Sequence, residues 1–304
     1  MNSRSTPDSQ THALSFDVEH WHSATLLADE VSEPVDRIEE SVTKVLDLLD
    51  RHDVRATFFV VGRVAEAYPA LVRKIDEAGH EIGSHGHTHT PLFDLSPRAF
   101  EEELTDSATA LEAATGARPV GFRAPNFSVT RDTDWAVRVL EASEYEYDSS
   151  VFPVKTPMYG VSGAPVRPYV ATESNPFTER PTGVDDGIVE IPVAVADSRF
   201  RLPVAGGFYG RVLPTWVLAR CIRWRERQGV PAVLYFHPWE FNPAVRTDSP
   251  PITTRFVSYY GIEKATSKLD ELLDTFEWGT VGAIADRFRS EEPRGPNANP
   301  THDA

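Results

Sequence analysis

Short runs of strand-forming residues alternate with amphipathic stretches along most of the chain. The short runs have the length of buried strands, and the longer stretches place apolar residues three and four positions apart, as in helices. The predicted strands lie at residues 13–16, 56–61, 80–84, 120–122, 144–147, 188–195 and 232–236. Strands that alternate with helices predict successive βα units and a mainly parallel sheet, either a barrel or a doubly wound sheet.

Helix boundaries are marked by serine, proline and glycine. Ser96 and Pro97 are typical of a helix start, and Gly79, Gly116 and Gly229 suit the left-handed conformation that often ends a helix. The predicted helices lie at about residues 34–49, 69–79, 96–116, 134–142, 214–228 and 263–276.

The regular pattern breaks down between residues 149 and 187, a segment rich in proline and glycine. A long loop that follows a strand end inside a compact domain usually serves function, so we expect this segment to cover a bound substrate. The polar chain ends predict disordered tails at residues 1–11 and 291–304, around one domain at 12–290.

The chain carries 46 acidic and 30 basic residues, which gives a formal net charge of -16. Such a surface repels phosphate backbones and argues against a nucleic acid partner. Lysine occurs at only five positions, so most of the positive charge is arginine. Acidity with few lysines suggests a protein from a halophile with a high-salt cytoplasm; an ordinary acidic protein is the alternative.

No apolar run in the sequence is long enough to span a bilayer, and the polar start lacks the hydrophobic stretch of a signal peptide. We therefore expect a soluble, cytoplasmic protein without stable membrane insertion. The single cysteine, Cys221, excludes an internal disulfide and is interpreted as a buried structural thiol.

Ionisable residues collect directly after the predicted strands. Because the carboxyl ends of parallel strands open onto one mouth, we expect these side chains to share a cavity although they are far apart in sequence. They are Asp17, Glu19, His85, His89, Arg123, Asp148 and His237. Any one of them alone could be a capping or surface residue, but their common placement indicates a site.

Two of these residues have the spacing of metal ligands. His85 and His89 are four positions apart, and they share one face if the chain turns helically there. Two imidazoles and one carboxylate can hold a divalent ion such as zinc and leave a position open for water, as hydrolytic sites require. A histidine-rich loop without a metal is the alternative.

Five ordered motifs resemble those of the polysaccharide deacetylase (NodB homology) family. Ser-Phe-Asp-Val-Glu at 15–19 is similar to the first motif, and His-Gly-His-Thr-His at 85–89 is similar to the histidine motif. Phe-Arg-Ala-Pro-Asn at 122–126, Tyr-Asp-Ser-Ser at 147–150 and Leu-Tyr-Phe-His-Pro at 234–238 follow in the expected order. The resemblance implies an α/β fold, namely a distorted, incomplete (β/α) barrel that acts on N-acetylated sugars or glycans.

A narrower likeness covers most of the chain. The segments that carry it are residues 17–19, 206–209, 237–240 and 254–256, which resemble the deacetylase-like subfamily of exosortase-associated exopolysaccharide loci. This resemblance implies that residues 12–290 form one catalytic domain, with a subfamily extension at about 200–290.

The resemblance also implies roles in the hydrolysis of an N-acetyl group. Asp17 would be the general base for the attacking water, with Arg123 paired to it, and His237 would protonate the departing amine. Asp148 would orient His237 and favour its charged form. The histidines at 85 and 89 would hold a divalent metal ion, with zinc as the expected metal.

One departure from the family pattern concerns that metal. The first motif usually carries a second aspartate as a ligand, and here Val18 replaces it. A valine cannot bind a cation, so Glu19 is the nearest substitute, with His20 and His22 as fallback donors.

Aromatic residues near the motifs are candidates for stacking against sugar rings, with core packing as the alternative. They are Trp21, Phe127, Tyr209 and Trp239. The pair Gly206 and Gly207 is interpreted as a tight turn and not as a phosphate-binding loop.

Two other functions stay open at this point. A related C–N hydrolase similar to the allantoinases would turn over an amide or ureide without releasing acetate. A catalytically inactive barrel would only bind carbohydrate, although such a module has no need of an ordered base and acid. The sequence leaves the oligomeric state and the identity of the glycan open.

Overall fold

The structure is a computed structural model of the chain. It describes residues 11–24, 26–28, 30–31, 34–156, 159–179, 187–196, 201–247 and 250–291. The tails predicted to be disordered, 1–11 and 291–304, lie outside the described residues except for Thr11 and Glu291. Among the described residues, no helix combines the length and the apolar character that crossing a membrane requires.

One large sheet forms the centre of the molecule. The strands are β1 (His12–Val18), β2 (Thr57–Val60), β3 (Glu81–Ser84), β4 (Gly121–Phe122), β5 (Tyr147–Asp148), β6 (Tyr169–Ala171), β7 (Ile188–Glu190), β8 (Val195–Ala196), β9 (Leu202–Pro203), β10 (Val233–Phe236) and β11 (Trp278–Gly279). Hydrogen bonding runs in the order β10-β1-β2-β3-β4-β5-β7-β6, while β11 pairs with β1, and β8 and β9 form a separate ribbon. Strands of the large sheet pair in parallel, except that β6 and β7 are antiparallel.

The sheet does not close within the described residues, because its two end strands, β10 and β6, do not pair with each other. Parallel strands connected by helices, in a sheet that stops short of closure, are the distorted, incomplete (β/α) barrel that the sequence predicts. The predicted α/β fold class is confirmed.

The helices are α1 (Ile38–Arg51), α2 (Gly62–Ala67), α3 (Pro69–Glu77), α4 (Pro97–Thr115), α5 (Trp135–Glu141), α6 (Gly207–Val212), α7 (Thr215–Glu226), α8 (Ile252–Tyr259), α9 (Ile262–Thr275) and α10 (Val281–Glu291). Short 3₁₀ turns lie at Trp21–Ser23, Leu92–Asp94, Pro125–Phe127, Pro238–Phe241 and Pro243–Val245. All six predicted helices are present, with small differences at their ends. The Ser96 hydroxyl accepts a hydrogen bond from the Ala99 N–H at 3.2 Å, and Gly116 ends α4 with a φ of 82°.

The first strand is the centre of the core. All seven residues of β1 are buried, and the strand pairs with β10 on one side and β2 on the other. Phe16 stacks on Phe58 with 5.1 Å between the ring centroids, and the Ser15 hydroxyl donates to the Leu234 carbonyl oxygen at 3.0 Å. Burial on both faces is typical of a parallel strand covered by helices. Asp17 thereby reaches the carboxyl edge of the sheet beside two neighbouring strands.

The segment 149–187, predicted to cover a substrate, belongs partly to the scaffold. It contains β6, in which Tyr169 and Ala171 are buried. Antiparallel pairing with β7 adds this strand to the end of the sheet. Residues 157–158 and 180–186 of the segment lie outside the described residues.

Cys221 lies on α7 and is half-buried, where the sequence predicts a buried thiol. Burial raises the pKa of the thiol, which keeps it protonated and fits an unreactive structural cysteine.

Gly206 lets the chain after β9 rest directly on β10. Its φ of 136° and ψ of -152° belong to a region that glycine alone occupies readily. A β-carbon there would stand 1.7 Å from the Tyr235 carbonyl oxygen, and the Tyr235 N–H donates to the Ala205 carbonyl oxygen at 2.6 Å. The glycine therefore serves a close approach of two backbones.

Gly206→Ala should lower the free energy of unfolding by about 3 kcal/mol or more, because the new methyl group collides with strand backbone. Gly163→Ala is the matched control: Gly163 also has a positive φ, of 85°, but no atom lies within 4 Å of its added β-carbon. The control should cost only about 1–2 kcal/mol. Urea unfolding followed by tryptophan fluorescence measures both losses, and equal losses would contradict the collision.

Candidate active site

The ionisable residues that follow the strands meet at the carboxyl edge of the sheet. Asp17 is the penultimate residue of β1, His85 follows β3 and His237 follows β10. They border a cleft of about 140 Å³. The expectation of one shared cavity therefore holds for these side chains.

An ion pair joins Asp17 to Arg123 at this cleft. Nη1 of Arg123 donates to Asp17 Oδ1 and to Ser15 Oγ, each at 2.8 Å, and Nε donates to the Ser149 carbonyl oxygen at 3.0 Å. The guanidinium is fully buried, and its central carbon lies 4.2 Å from the centroid of the Phe59 ring. Charge-assisted hydrogen bonds of this kind fix the direction of a carboxylate. Asp17 is thus held in one orientation.

Glu19 lies between two histidines. Its Oε2 is 2.7 Å from Nε2 of His89, and its Oε1 is 3.6 Å from Nε2 of His237. Burial alone would raise the pKa of the Glu19 carboxyl, but the positive charges of His89 and His237 lower it to about 2. Val18, the residue before it, is buried in the core. Glu19 is therefore an ionised carboxylate inside the cleft.

The histidine loop after β3 is not helical. Gly86 and His89 adopt positive φ values of 72° and 64°, so the chain does not make the helical turn that would place the two histidines on one face. The two histidines still come together, with 5.2 Å between the ring centroids of His85 and His89. The left-handed backbone at Gly86 and His89 bends the loop, and this bend brings the two imidazole rings close to each other.

A carboxylate on α4 braces this loop. Glu103 accepts hydrogen bonds from the N–H groups of His87 and Thr88 at 2.7 and 2.8 Å, and a third from the Thr88 hydroxyl at 2.7 Å. Glu103 thus holds the loop in place. Its role could not be predicted from the motif, because Glu103 lies 14 positions after His89 in the sequence.

The ring of His85 has a defined tautomer. Its Nδ1 lies 2.8 Å from the Arg123 carbonyl oxygen, and because a carbonyl oxygen can only accept, Nδ1 carries the hydrogen. Burial lowers the pKa of His85 to about 4. The ring is therefore neutral at neutral pH and keeps a free electron pair on Nε2, which is the form that binds a metal.

His237 is hydrogen-bonded to the carboxylate of Glu240, which lies in the 3₁₀ turn directly after it. Nδ1 of His237 lies 2.7 Å from Oε1 of Glu240. The other carboxylate oxygen of Glu240, Oε2, accepts a hydrogen bond from Nε of Arg211 at 2.7 Å. Burial alone would lower the pKa of His237, but the hydrogen bond to Glu240 and the charge of Glu19 raise it to about 9. The Trp239 ring stacks on the imidazole at a centroid distance of 5.4 Å. Glu240 and Arg211 both line the cleft.

Asp148 has other partners than the sequence predicts. Its carboxylate accepts a hydrogen bond from the Ser150 hydroxyl and shares another with Glu190, which lies opposite on β7. The expectation that Asp148 orients His237 is wrong for the described structure, because strand pairing turns Asp148 toward Glu190. Glu240 occupies the position next to His237.

The two buried carboxyls share a proton. Burial raises the pKa of Asp148 to about 6, and burial with the charge of Asp148 raises the pKa of Glu190 well above its usual range. Ser150 also accepts a hydrogen bond from the Ala124 N–H at 2.8 Å. Through Ser150 the pair is therefore connected to the backbone of Ala124, next to Arg123.

Two of the four aromatic residues expected to stack on sugars line the cleft, namely Phe127 and Trp239. Trp21 packs in an apolar cluster, and its indole N–H donates to the Val35 carbonyl oxygen at 2.9 Å. Because both its ring and its polar atom are satisfied there, Trp21 is a core residue, and the stacking expectation for it is corrected.

Tyr209 also lies outside the lining of the cleft. It follows Phe208 on α6, and consecutive side chains leave a helix at different angles, so Phe208 faces the cleft in its place. Tyr159, from the segment predicted to cover a substrate, lines the cleft as well. No pattern in the sequence distinguishes Phe208 or Tyr159 as cleft residues.

Within the described part of the chain, no three His, Cys, Asp or Glu side chains are spaced as a preformed metal centre. A larger hollow, of about 540 Å³, lies near the amino ends of the strands, with Thr11 and Pro231 in its lining. None of the predicted site residues borders it, so the chemistry belongs to the smaller cleft.

Two family models divide the chain between them. Residues 5–145 match the family described as polysaccharide deacetylase. Residues 149–286 match a second family, described as a domain of unknown function, DUF3473. Residues 5–145 contribute Asp17 and Glu19 to the lining of the cleft, with Arg123 paired to Asp17, and residues 149–286 contribute His237.

Curated relatives resemble part of this chain over part of their own length. A peptidoglycan deacetylase-like protein of Gibberella zeae is 33% identical over 156 residues, which cover 50% of this chain and 45% of the relative. The peptidoglycan-N-acetylglucosamine deacetylase of Bacillus cereus is 34% identical over 86 residues (28% and 31%), and that of Listeria monocytogenes is 37% identical over 87 residues (29% and 19%). The chain thus spans less than half the length of these relatives.

Solved structures share the fold over nearly the whole chain. A polysaccharide deacetylase homologue from Mycobacterium smegmatis matches with a TM-score of 0.60 at 23% identity, covering 98% of this chain and 97% of that protein. The allantoinase PuuE matches with a TM-score of 0.60 at 15% identity, covering 95% and 96%. At these identities the likeness concerns the fold alone, and it agrees with the incomplete barrel.

Glu190→Gln should stabilise the protein at high pH. The folded wild type keeps protons on the Asp148–Glu190 pair that the unfolded chain releases above about pH 4. The free energy of unfolding therefore falls as pH rises through the folded-state pKa values. Glutamine mimics the protonated acid and cannot ionise, so the variant should exceed the wild type by about 1–3 kcal/mol at pH 8, with the difference shrinking toward pH 4.

Chemical denaturation at pH 4, 6 and 8 measures this difference. Glu101→Gln, at an exposed position of α4, removes the same charge without burial and should leave the pH dependence unchanged. A loss of stability in Glu190→Gln that is equal at every pH would refute the shared proton.

Proposed function

We propose that the protein is a metal-dependent hydrolase that removes the N-acetyl group from an N-acetylated sugar or glycan. The observation that carries the proposal is the buried Asp17–Arg123 ion pair, placed in one cleft with His85, His89 and His237. The match of residues 5–145 to the polysaccharide deacetylase family supports it. The names of the Bacillus and Listeria relatives, which are N-acetylglucosamine deacetylases of peptidoglycan, support a sugar amide as the substrate.

The side chains of Glu19, His85 and His89 fit a divalent ion such as zinc. Carboxylate oxygen and imidazole nitrogen are the ligands that zinc takes in hydrolytic sites. The Arg123 carbonyl fixes the tautomer in which His85 offers Nε2, and Oε2 of Glu19 is buried without an aligned hydrogen-bond donor. The direct Glu19–His89 contact of 2.7 Å would open on binding. A bound ion would polarise the acetyl carbonyl and increase the acidity of water.

The side chains of this protein supply the proton transfers. Hydrolysis breaks the amide C–N bond and needs one group that takes a proton and one that gives a proton. Asp17, oriented by Arg123, takes a proton from the attacking water on its carboxylate. His237 gives a proton from Nε2 to the amine nitrogen as the bond breaks, because its Nδ1 is engaged by Glu240.

The cleft suits an acetamido group on a sugar ring. A volume of about 140 Å³ is small compared with the pockets that enclose whole drug-sized ligands. The acetamido group enters the cleft, and the aromatic side chains of Phe127, Tyr159 and Trp239 offer apolar walls for the ring that carries it. The rest of a longer glycan stays outside.

Asp17→Asn should reduce acetate release from N-acetylglucosamine oligomers by roughly 10²- to 10⁴-fold, the range that a general base contributes. The fold should survive, since asparagine keeps the shape and an oxygen acceptor for Arg123. Acetate is measured by a coupled enzyme assay and the fold by circular dichroism. Asp47→Asn, at an exposed position of α1, is the control.

Full activity in Asp17→Asn would remove Asp17 from its role. Turnover of an amide or ureide by the wild type without acetate formation would instead favour a different C–N hydrolase on the same fold.

His85→Ala and His89→Ala should each lose bound zinc, because each removes one imidazole donor. His87→Ala is the matched control, since His87 lies in the same loop but does not line the cleft. Elemental analysis after dialysis against zinc measures the stoichiometry, and a chelator should abolish acetate release by the wild type. Unchanged zinc in both His85→Ala and His89→Ala would reject these ligands.

A further inference from the structure

A chain of buried charges reaches His237 from the second half of the protein. Oε1 of Glu240 lies 2.7 Å from Nδ1 of His237, and Oε2 accepts from Arg211 Nε at 2.7 Å. Glu240 and Arg211 are only 1% and 3% exposed. Arg211 lies on α6 and donates its other N–H groups to the carbonyl oxygens of Val257 and Tyr260, at 2.9 and 2.5 Å.

We propose that Glu240 is the positioning residue for His237 in the deacetylation reaction, and that Arg211 holds Glu240 in place for this task. The inference rests on the proposed function, in which His237 gives the proton to the leaving amine. The Nδ1 hydrogen bond directs Nε2 of the ring into the cleft, and the Trp239 ring, stacked at 5.4 Å, limits rotation of the imidazole.

A helix cap alone does not account for this arrangement. Glu240 also accepts the backbone N–H of His237 at 3.1 Å, as the third residue of a capping box does. A cap needs one carboxylate oxygen and no cation, whereas here the other oxygen is held by an arginine on a different helix. Burying a charge pair is costly, so the Arg211 partner indicates a task beyond the cap.

Asp148 does not compete for this task in the described structure. Its carboxylate is engaged by Ser150 and Glu190, and it does not line the cleft. The ring nitrogens of His237 face two other carboxylates, with Nδ1 at Glu240 and Nε2 3.6 Å from Glu19. Glu240 therefore takes the position that the family resemblance assigns to an aspartate.

The second half of the chain thereby contributes to proton transfer in the proposed reaction. His237, Glu240 and Arg211 all lie within residues 149–286, the match to the domain of unknown function. The carbonyl groups of Val257 and Tyr260, at the end of α8, fix Arg211 from the other side. This half therefore supplies the proton donor together with the ion pair that aims it.

Glu240→Gln tests the role by separating kcat from KM. The variant keeps the shape and the acceptor for the backbone N–H but loses the charge that aims His237. Acetate release from the tetramer of N-acetylglucosamine should lose about 10- to 100-fold in kcat, as when the outer partner of a functional histidine is removed. The KM should stay within about threefold, because the side chains that contact the sugar are unchanged.

A second substrate distinguishes aiming from general damage. The 4-nitrophenolate that leaves 4-nitrophenyl acetate departs without a proton, so Glu240→Gln should hydrolyse this ester at close to the wild-type rate. Glu263→Gln, an exposed carboxylate paired with Arg246, is the control for charge loss and should match the wild type on both substrates. If the single variant Glu240→Gln does not fold, the double variant with Glu240→Gln and Arg211→Met takes its place, because it removes both buried charges together. The double variant should show the same loss of kcat.

An unchanged kcat for the tetramer in a folded Glu240→Gln variant would overturn the role, as would equal losses on the amide and the ester. If the wild type releases no acetate, the proposed function is refuted and the positioning role of Glu240 with it. This outcome is seen before any variant is made.

Discussion

The buried guanidinium of Arg123 is the interaction on which the site depends. A buried cation that has no contact with water must be surrounded by hydrogen-bond acceptors. Arg123 donates hydrogen bonds to Asp17 and Ser15 of β1 and to Ser149 after β5. Phe59 of β2 covers its face. Removing one partner of such a pair costs about 3–5 kcal/mol. The carboxyl ends of these strands, and the Asp17 carboxylate among them, are therefore fixed relative to one another.

The same residue also reaches the histidine loop, because its carbonyl oxygen sets the tautomer of His85. A second buried pair, Arg211 with Glu240, also lines the cleft and holds His237. Each half of the chain thus brings its own arginine–carboxylate pair. In the proposed mechanism, one pair aims the residue that takes a proton, and the other aims the residue that gives one.

Local patterns in the sequence predict the elements and the residues at the strand ends. Alternation of strands and helices predicts the parallel α/β sheet, and the motif resemblance implies the incomplete barrel. The strand ends predict Asp17, Glu19, His85, His89 and His237 at the cleft, with Arg123 paired to Asp17. Short or irregular helices such as α2 and α6 are missed, because one or two turns carry no clear stripe. The exosortase-associated branch and the halophilic origin stay predictions.

Contacts between distant segments could not be predicted in the same way. Asp148 turns to Glu190 because β5 lies next to β7 and not next to β10, which depends on strand order. Trp21 and Val35 meet through a loop that has no periodic signal. Glu240 could have been proposed from the sequence, since it follows His237 by three positions. Only its buried contact with Arg211 distinguishes Glu240 from an ordinary helix-capping residue.

The pairing of β1 with β10 sets the order in which the chain can fold during its synthesis. Ser15 and Leu234, which are hydrogen-bonded across these strands, are 219 positions apart. Pairing over such a distance is slow, and an unpaired strand edge attracts other chains until its partner arrives. The nascent protein therefore completes this pair only after Leu234 has left the ribosome, and until then the β10 side of β1 is an unpaired strand edge that can associate with other chains.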